Sequence, residues 1–438
     1  METKSSVFCS VRKKWFVVLT AVLVVLGGLC GGVCASERGC VVEKGDYVVI
    51  AGDSITEQMM YSSYMETYLL ACEPELDIRV TQLGWGGETA GRFHRRMDND
   101  LMPLGADVVT LSYGMNDGRY RKYEKWVGDE YVKPLGDIVS AIVGKGGKVV
   151  VGSPGPVDSY TWDKRGGRTT AVVYNESLTK LAGFAKEVAD KNGQIYAPIN
   201  EVMNDVMVKA KARYGQEHHV AGADGVHPAE NGHLAMAYTF LKAMGFDGEI
   251  GTITVDWGKG AKGTEGHEVV GVSGGDIEVV SRRYPFCFQG PAEGQWGTVS
   301  VLEFLPFQKD LNRFQLVVKG LPGAKAKVKW GNESREFSRE ELSEGINLAA
   351  EFLKHPLFDA FEQVRKKVGE KQQYERLMIK QAITHIPSIL GQFEGDKEMA
   401  GITDKMRGKM MSRERELQKE VRSLVKGVKH VIEIEALE

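Results

Sequence analysis

Between Tyr47 and Met244, short apolar runs alternate with stretches whose apolar residues return at helical spacing. The runs are Tyr47–Ala51, Asp77–Leu83, Asp107–Ser112, Lys148–Ser153 and Gln194–Ala197. An apolar run that stops at Gly, Pro or a small polar residue reads as a buried strand ending in a turn. The intervening segments Gln58–Ala71, Glu88–Leu101, Tyr131–Val143, Tyr174–Lys191, Ile199–Tyr214 and Glu230–Met244 read as helices. In the first of them Met59, Met60, Tyr64, Met65, Tyr68 and Leu69 share a helical face, and Pro74 lies just beyond. Strands alternating with helices predict a parallel sheet covered on both faces, joined by right-handed crossovers. Five such strands suit an α/β/α sandwich of flavodoxin-like order, with a ligand site at the switch point on the strands' carboxyl edge.

After Gly248 the pattern changes. Ile250–Val255, Glu268–Val272, Asp276–Val280, Thr298–Phe304, Arg313–Val318 and Ala326–Trp330 are short Val-, Ile- and aromatic-rich runs separated by Gly or Pro. They predict an antiparallel β module, a sandwich packed on the α/β domain. Ser338 and Glu341 stand at capping-box spacing and open a short helical turn. From Glu351 the chain reads as helical. Leu357, Phe361, Val364 and Val368 recur at helical spacing, as do Leu417, Val421, Leu424, Val428 and Val431. Lys405, Arg407, Lys409, Arg413 and Arg415 between them read as a solvated face. The expected divisions are a leader, 1–35, an α/β domain, 36–247, a β-rich module, 248–350, and a helical C-terminal region, 351–438.

Composition changes this picture in three ways. Arg12, Lys13 and Lys14 precede the apolar stretch Trp15–Leu29, and Val33-Cys34-Ala35 follows; this is the layout of a cleaved signal peptide, and the apolar stretch is short for a membrane span. The expected location is secreted or periplasmic, with an uncleaved anchor as the alternative. The net charge of −3 over 438 residues, more negative once a basic leader is removed, argues against nucleic acid as a partner. Of the six cysteines, Cys40, Cys72 and Cys287 lie beyond the leader, with no CxxC spacing, so neither a disulfide framework nor a zinc site is implied and any single pairing stays open.

Candidate chemistry begins where the first strand ends. Val48–Gln58 reads VVIAGDSITEQ and sets Ser54 beside the first turn of a helix, where free backbone N–H groups can face a negative oxygen. A serine hydroxyl needs a neighbouring imidazole to attack at neutral pH. His227, in Ala223–Pro228 (ADGVHP), supplies one, and Asp224 three residues earlier can reach one ring nitrogen in a turn that Gly225 allows. Leu83–Gly91 reads LGWGGETAG and Leu111–Gly118 reads LSYGMNDG. Asn116 follows the third strand and stands on the same sheet edge as Ser54. Taken in order, GDSIT and these three stretches resemble the SGNH/GDSL hydrolase family of GDSL-like lipases and acylhydrolases, over roughly Tyr47 to Met244. Ile55 replaces the namesake Leu, a conservative change.

The resemblance implies the fold deduced above and a hydrolase acting on carboxylic esters. It implies Ser54 as nucleophile, His227 as base and Asp224 as its orienting partner. The oxyanion hole it implies comprises the Ser54 N–H, the Gly87 N–H and the Asn116 amide. Gly87 is preferred because Glu88-Thr89 follow it, as in the family; Gly86 is the alternative. Asp53 is read as support for the turn. His94, His218, His219 and His233 have no partner pattern. No metal-ligand spacing appears and no cofactor is expected. Trp85, Tyr113, Tyr120, Tyr123, Trp126, Tyr160 and Trp162 lie near the motifs or in the loops Gly118–Glu130 and Gly155–Thr170. Such aromatics stack on sugar rings or cover acyl chains. The expectation is removal of short acyl groups, acetyl above all, from a carbohydrate. A lipid or small-ester acylhydrolase, and a non-catalytic carbohydrate-binding envelope protein with a silent hydrolase domain, are the alternatives. Oligomeric state stays open.

Overall fold

The computed structural model describes residues 39–166 and 168–438, so the expected leader, 1–35, lies outside the described residues. The described residues form one compact unit.

The first five strands are β1 (Tyr47–Gly52), β2 (Arg79–Gln82), β3 (Val108–Ser112), β4 (Lys148–Gly152) and β5 (Ile195–Ala197). They form a parallel sheet in the order β2-β1-β3-β4-β5, the flavodoxin-like order that the sequence predicts. Side chains along β1 alternate between two cores, as the period of two requires. Val48 and Ile50 join one face, and Val49 and Ala51 the other. The first face is covered by α2 (Tyr61–Thr67), α7 (Ile199–Tyr214) and α8 (Glu230–Ala243); the second by α3 (Ala90–Asp100) and α4 (Lys125–Gly144). The helix α6 (Ala171–Lys191) contributes to both. Two short helices complete the set, α1 (Ser54–Glu57) and α5 (Thr161–Lys164). The helix expected over Gln58–Ala71 is thus broken. Met59 takes a left-handed φ of 58°, which ends α1 before α2 begins, and Tyr68–Cys72 widens into a π turn. Gly52 of β1 pairs with Ser112 of β3, so the two strands end flush at the switch point of the sheet.

The β-rich part comprises β6 (Glu249–Asp256), β7 (Gly260–Gly263), β8 (His267–Ser273), β9 (Asp276–Ser281), β10 (Arg313–Lys319), β11 (Lys325–Trp330), β12 (Glu333–Ser338), β13 (Ile346–Asn347) and β14 (Val428–Leu437). They make two sheets, β13-β10-β6-β7 and β12-β11-β14-β9-β8. The sheets face each other, with Phe314 of β10 stacked at 4.6 Å on His267 of β8 and 5.5 Å from Trp330 of β11. Three details depart from expectation. Thr298–Phe304 contains a 3-10 turn at Val299–Val301 in place of a strand. β6 and β10 pair in parallel, which makes the first sheet mixed. The helical region ends at Arg422, and its last segment is β14, inserted between β11 and β9. The Ser338–Glu341 capping box forms as predicted.

Two long helices, Phe358–Gln381 and Lys397–Arg422, return to the α/β domain along β2. As the outermost strand, β2 leaves N–H and C=O groups that need cover. Glu375 accepts the Gln82 N–H at 3.0 Å, Lys371 Nζ donates to Val80 O at 2.6 Å, and Gln418 Oε1 accepts the Val80 N–H at 3.4 Å. Among the described residues, no helix is long and apolar enough to cross a membrane.

Candidate active site

Ser54 opens α1 directly beyond β1. Asp53 caps that helix by accepting the Ile55 N–H at 2.9 Å, and the Ser54 N–H, in the first turn, makes no hydrogen bond among the described residues. Ser54 Oγ lies 2.8 Å from Nε2 of His227. His227 Nδ1 lies 2.6 Å from Oδ2 of Asp224. The other oxygen of Asp224 accepts the N–H groups of Val226 and His227 at 2.9 and 2.8 Å. The turn at Gly222–Gly225 makes this local pairing work. Gly225 sits at φ 81°, and a Cβ on it would stand 2.8 Å from the backbone nitrogen of Trp162. Helix α8 is capped by Ala229 without a side-chain bond, so His227 is not spent as a helix cap.

The charges follow from these contacts. The hydrogen bond that His227 donates to Asp224 raises the pKa of the ring above its ordinary 6.5, against the lowering effect of burial. Burial pushes the Asp224 carboxyl up, yet the His227 side chain and the two backbone N–H groups outweigh it and hold the carboxyl well below 3.8. Ionised Asp224 therefore faces a ring that it holds with Nδ1 protonated, leaving Nε2 to accept from Ser54.

The glycine loop lies between β2 and α3. Trp85 O accepts the Glu88 N–H at 3.2 Å, closing a turn with Gly87 at φ 68°. Gly86 donates its N–H to Glu57 Oε2 at 2.5 Å, whereas the Gly87 N–H has no partner among the described residues. Of the two glycines, Gly87 alone keeps a free donor. Asn116 stands beyond β3. Its Nδ2 donates to Glu88 O at 3.1 Å and to Asp53 Oδ2 at 3.2 Å, while its Oδ1 accepts from Tyr120 Oη at 2.8 Å. Asp53 thus supports both the turn and Asn116. Burial raises its pKa to about 7 despite the Ile55 N–H.

Several contributors have no role assigned by the motifs. Buried Asp117 accepts from Ala90 N and Gly114 N, both at 3.0 Å, and so ties α3 to the Asn116 loop. Buried Glu88 holds Arg96 at 2.7 Å and Tyr113 Oη at 3.0 Å. His233, one of the histidines without a partner pattern, is buried with its Nε2 3.0 Å from Gln58 Oε1. Of the aromatics, Tyr113 and Trp162 are buried, Tyr120 stacks on Trp162 at 5.8 Å, and Trp126 is exposed. Cys40, Cys72 and Cys287 are free thiols.

A flavodoxin-like sheet carrying these groups at its switch point is the architecture of an SGNH-type hydrolase. Residues 50–235 match the GDSL-like Lipase/Acylhydrolase family, and the match indicates an ester hydrolase. An acetylxylan esterase of Geobacillus stearothermophilus is 24% identical over 228 residues, covering 47% of this chain and 97% of that one. A solved structure of a gut microbial diltiazem-metabolizing enzyme matches with a TM-score of 0.72 at 23% identity, over 92% of this chain and 100% of that one. The shared fold therefore includes the β sheets and C-terminal helices. A structure of the Geobacillus stearothermophilus acetylxylan esterase matches 47% of this chain and 96% of its own, at 21% identity and a TM-score of 0.40.

Proposed function

We propose that the protein removes short acyl groups, acetyl above all, from carbohydrate esters outside the cytoplasm, with Ser54, His227 and Asp224 as its triad. The observation that carries this reading is the unbroken relay from Asp224 through His227 to Ser54, at 2.6 and 2.8 Å. His227 Nε2 takes the Ser54 proton as Oγ attacks the ester carbonyl. Asp224 stabilises the resulting imidazolium. The negative oxygen of the tetrahedral intermediate is received by the Ser54 N–H, the Gly87 N–H and the Asn116 amide. Collapse expels the alcohol, which takes the proton from His227. Water, deprotonated by the same ring, then releases the acid from the acyl-serine.

Asn116 reaches this role by exchanging its 3.2 Å bond to Asp53 for the oxyanion. With its pKa near 7, Asp53 is about half protonated at that pH, which reduces the negative charge it places beside the developing one. Acetyl as the acyl group and carbohydrate as the alcohol are supported by the acetylxylan esterase relative and by exposed Trp126 near the loops. Export is supported by the basic-then-apolar pattern of residues 12–35.

Acetate release from acetylated xylo-oligosaccharides and turnover of p-nitrophenyl acetate test the reading. Wild-type protein should act on both and Ser54→Ala on neither. Preference for long-chain p-nitrophenyl esters over acetyl would move the substrate to lipid. Equal rates for wild type and Ser54→Ala would leave only a silent hydrolase domain.

A further inference from the structure

The long helix Phe358–Gln381 reaches the rim of the active site. Its approach is fixed by a fully buried cluster. Lys371 Nζ contacts Glu66 Oε1 at 2.8 Å and Glu375 Oε1 at 2.5 Å, and Gln372 Nε2 donates to Glu66 Oε2 at 2.8 Å. Arg376 and Lys380 follow Gln372 at intervals of four, so they extend the same helical face toward α1.

There they meet Glu57, the last residue of the helix that starts at Ser54. Lys380 Nζ lies 2.6 Å and an Arg376 guanidinium nitrogen 3.3 Å from Glu57 Oε1. The other oxygen, Oε2, accepts the Gly86 N–H. The loop is pressed onto this point. A Cβ on Gly84 would stand 2.3 Å from Glu57 N, and one on Gly86 would stand 2.8 Å from Glu57 Oε2. Lys380 Nζ also lies 5.2 Å from the centre of the Trp85 ring. One carboxylate therefore joins three things: the nucleophile's helix, the loop bearing Gly87, and two cations of the C-terminal helix. The Glu57 side chain is only 13% exposed, which strengthens these contacts relative to a surface pair.

We propose that Glu57 is a positioning residue for the oxyanion hole, and that Arg376 and Lys380 set its carboxylate, making the C-terminal helix a working part of the esterase site. This rests on the reading of Ser54 as nucleophile and Gly87 as oxyanion donor. Removing a cation frees the Glu57 carboxylate to turn, and the Gly86–Gly87 peptide follows. A donor displaced by a fraction of an ångström still admits a small ester but stabilises its intermediate less. The loss falls on kcat and spares KM.

The test uses the full chain, p-nitrophenyl acetate, and active sites counted with a serine-reactive fluorophosphonate. Lys380→Met and Glu57→Gln should each lower kcat per titrated site about ten- to a hundred-fold with KM nearly unchanged. Lys380→Arg should recover most of the rate. The double variant Glu57→Gln/Lys380→Met should be no slower than the slower single one, because both act through one contact. A variant that merely folds less well would lose titrated sites and keep its kcat per site. Unchanged kcat per site in both single variants would overturn the proposal while Ser54→Ala stayed inactive. An active Ser54→Ala would instead remove the reading on which it rests.

Discussion

The Asp224–His227 pairing is short-range, and Ser54, though 173 positions from His227, ends a strand inside a recognisable motif, so the line was legible in the sequence. Asp224 and His227 lie three apart in a turn, and Ser54 follows a strand end marked by Gly52. Supporting contacts between distant residues to which no motif assigns a role had no such signal. Glu57 meets Lys380 across 323 positions, and Asp117 meets Ala90 across 27, so no spacing rule points to either. The local geometry also sets the pH behaviour. His227 works as a base only when neutral, and Asp224 raises its pKa above 6.5, so kcat/KM should rise with pH through an acid limb lying above 6.5. Asp224→Asn removes the largest cause of that shift. Its acid limb should move to lower pH, while kcat falls by about 10⁴ as the ring loses the tautomer that accepts from Ser54. A pH–rate profile of the two proteins checks both. An acid limb that stays in place after the substitution would mean that another group governs it.

At the scale of the element, the α/β half was legible because each strand is a continuous apolar run between helical repeats. The tail was less so. Leu417, Val421, Leu424, Val428 and Val431 keep helical spacing past the true end of the helix, yet His430, Ile432 and Ile434 are the side chains that become buried. That alternation of period two marks β14, and its partners β9 and β11 impose it. The strand brings His430 into a buried chain. Trp330 Nε1 donates to His430 Nδ1 at 3.1 Å, Ser281 Oγ lies 2.8 Å from His430 Nε2 and 2.8 Å from His267 Nδ1, and His267 Nε2 lies 3.0 Å from Ile250 O. All of these bonds are satisfied at once only if both rings are neutral: His430 Nε2 donates to Ser281, Ser281 to His267 Nδ1, and His267 Nε2 to the carbonyl. Burial accordingly lowers His267 to about 4 and His430 to about 3, from 6.5. The stability these neutral rings contribute is complete above pH 6.5. It is lost as pH falls toward 4, because the unfolded chain binds protons that the folded one refuses, at about 1.4 kcal/mol per pH unit for each ring. Ser281→Ala strands two ring nitrogens and should cost about 2–4 kcal/mol at pH 7.5 in urea unfolding. A variant as stable as wild type would show that water or repacking replaces the hydroxyl.

The molecule as a whole is held to its active-site edge by charge buried between parts distant in sequence. Lys371 comes from the C-terminal helix, Glu66 from α2, and the edge strand β2 supplies Val80 O and the Gln82 N–H. Burial raises the pKa of both Glu66 and Glu375, and Lys371 opposes that rise. Lys371→Met would leave two carboxyls facing one another without a cation, a loss of about 3–5 kcal/mol where both are ionised in the unfolded chain. In the variant both folded pKa values move further above 4.5, so the stability is retained below 4.5, where the unfolded carboxyls are also protonated, and is lost as pH rises. The deficit against wild type should therefore be larger at pH 8 than at pH 5 in urea unfolding. Lys371→Met/Glu66→Gln/Glu375→Gln should erase that pH difference, since the amides still accept the β2 N–H without carrying charge. A deficit equal at both pH values would show that Lys371 contributes by packing alone, and the buried cation would not be what fastens the C-terminal helices to the sheet edge.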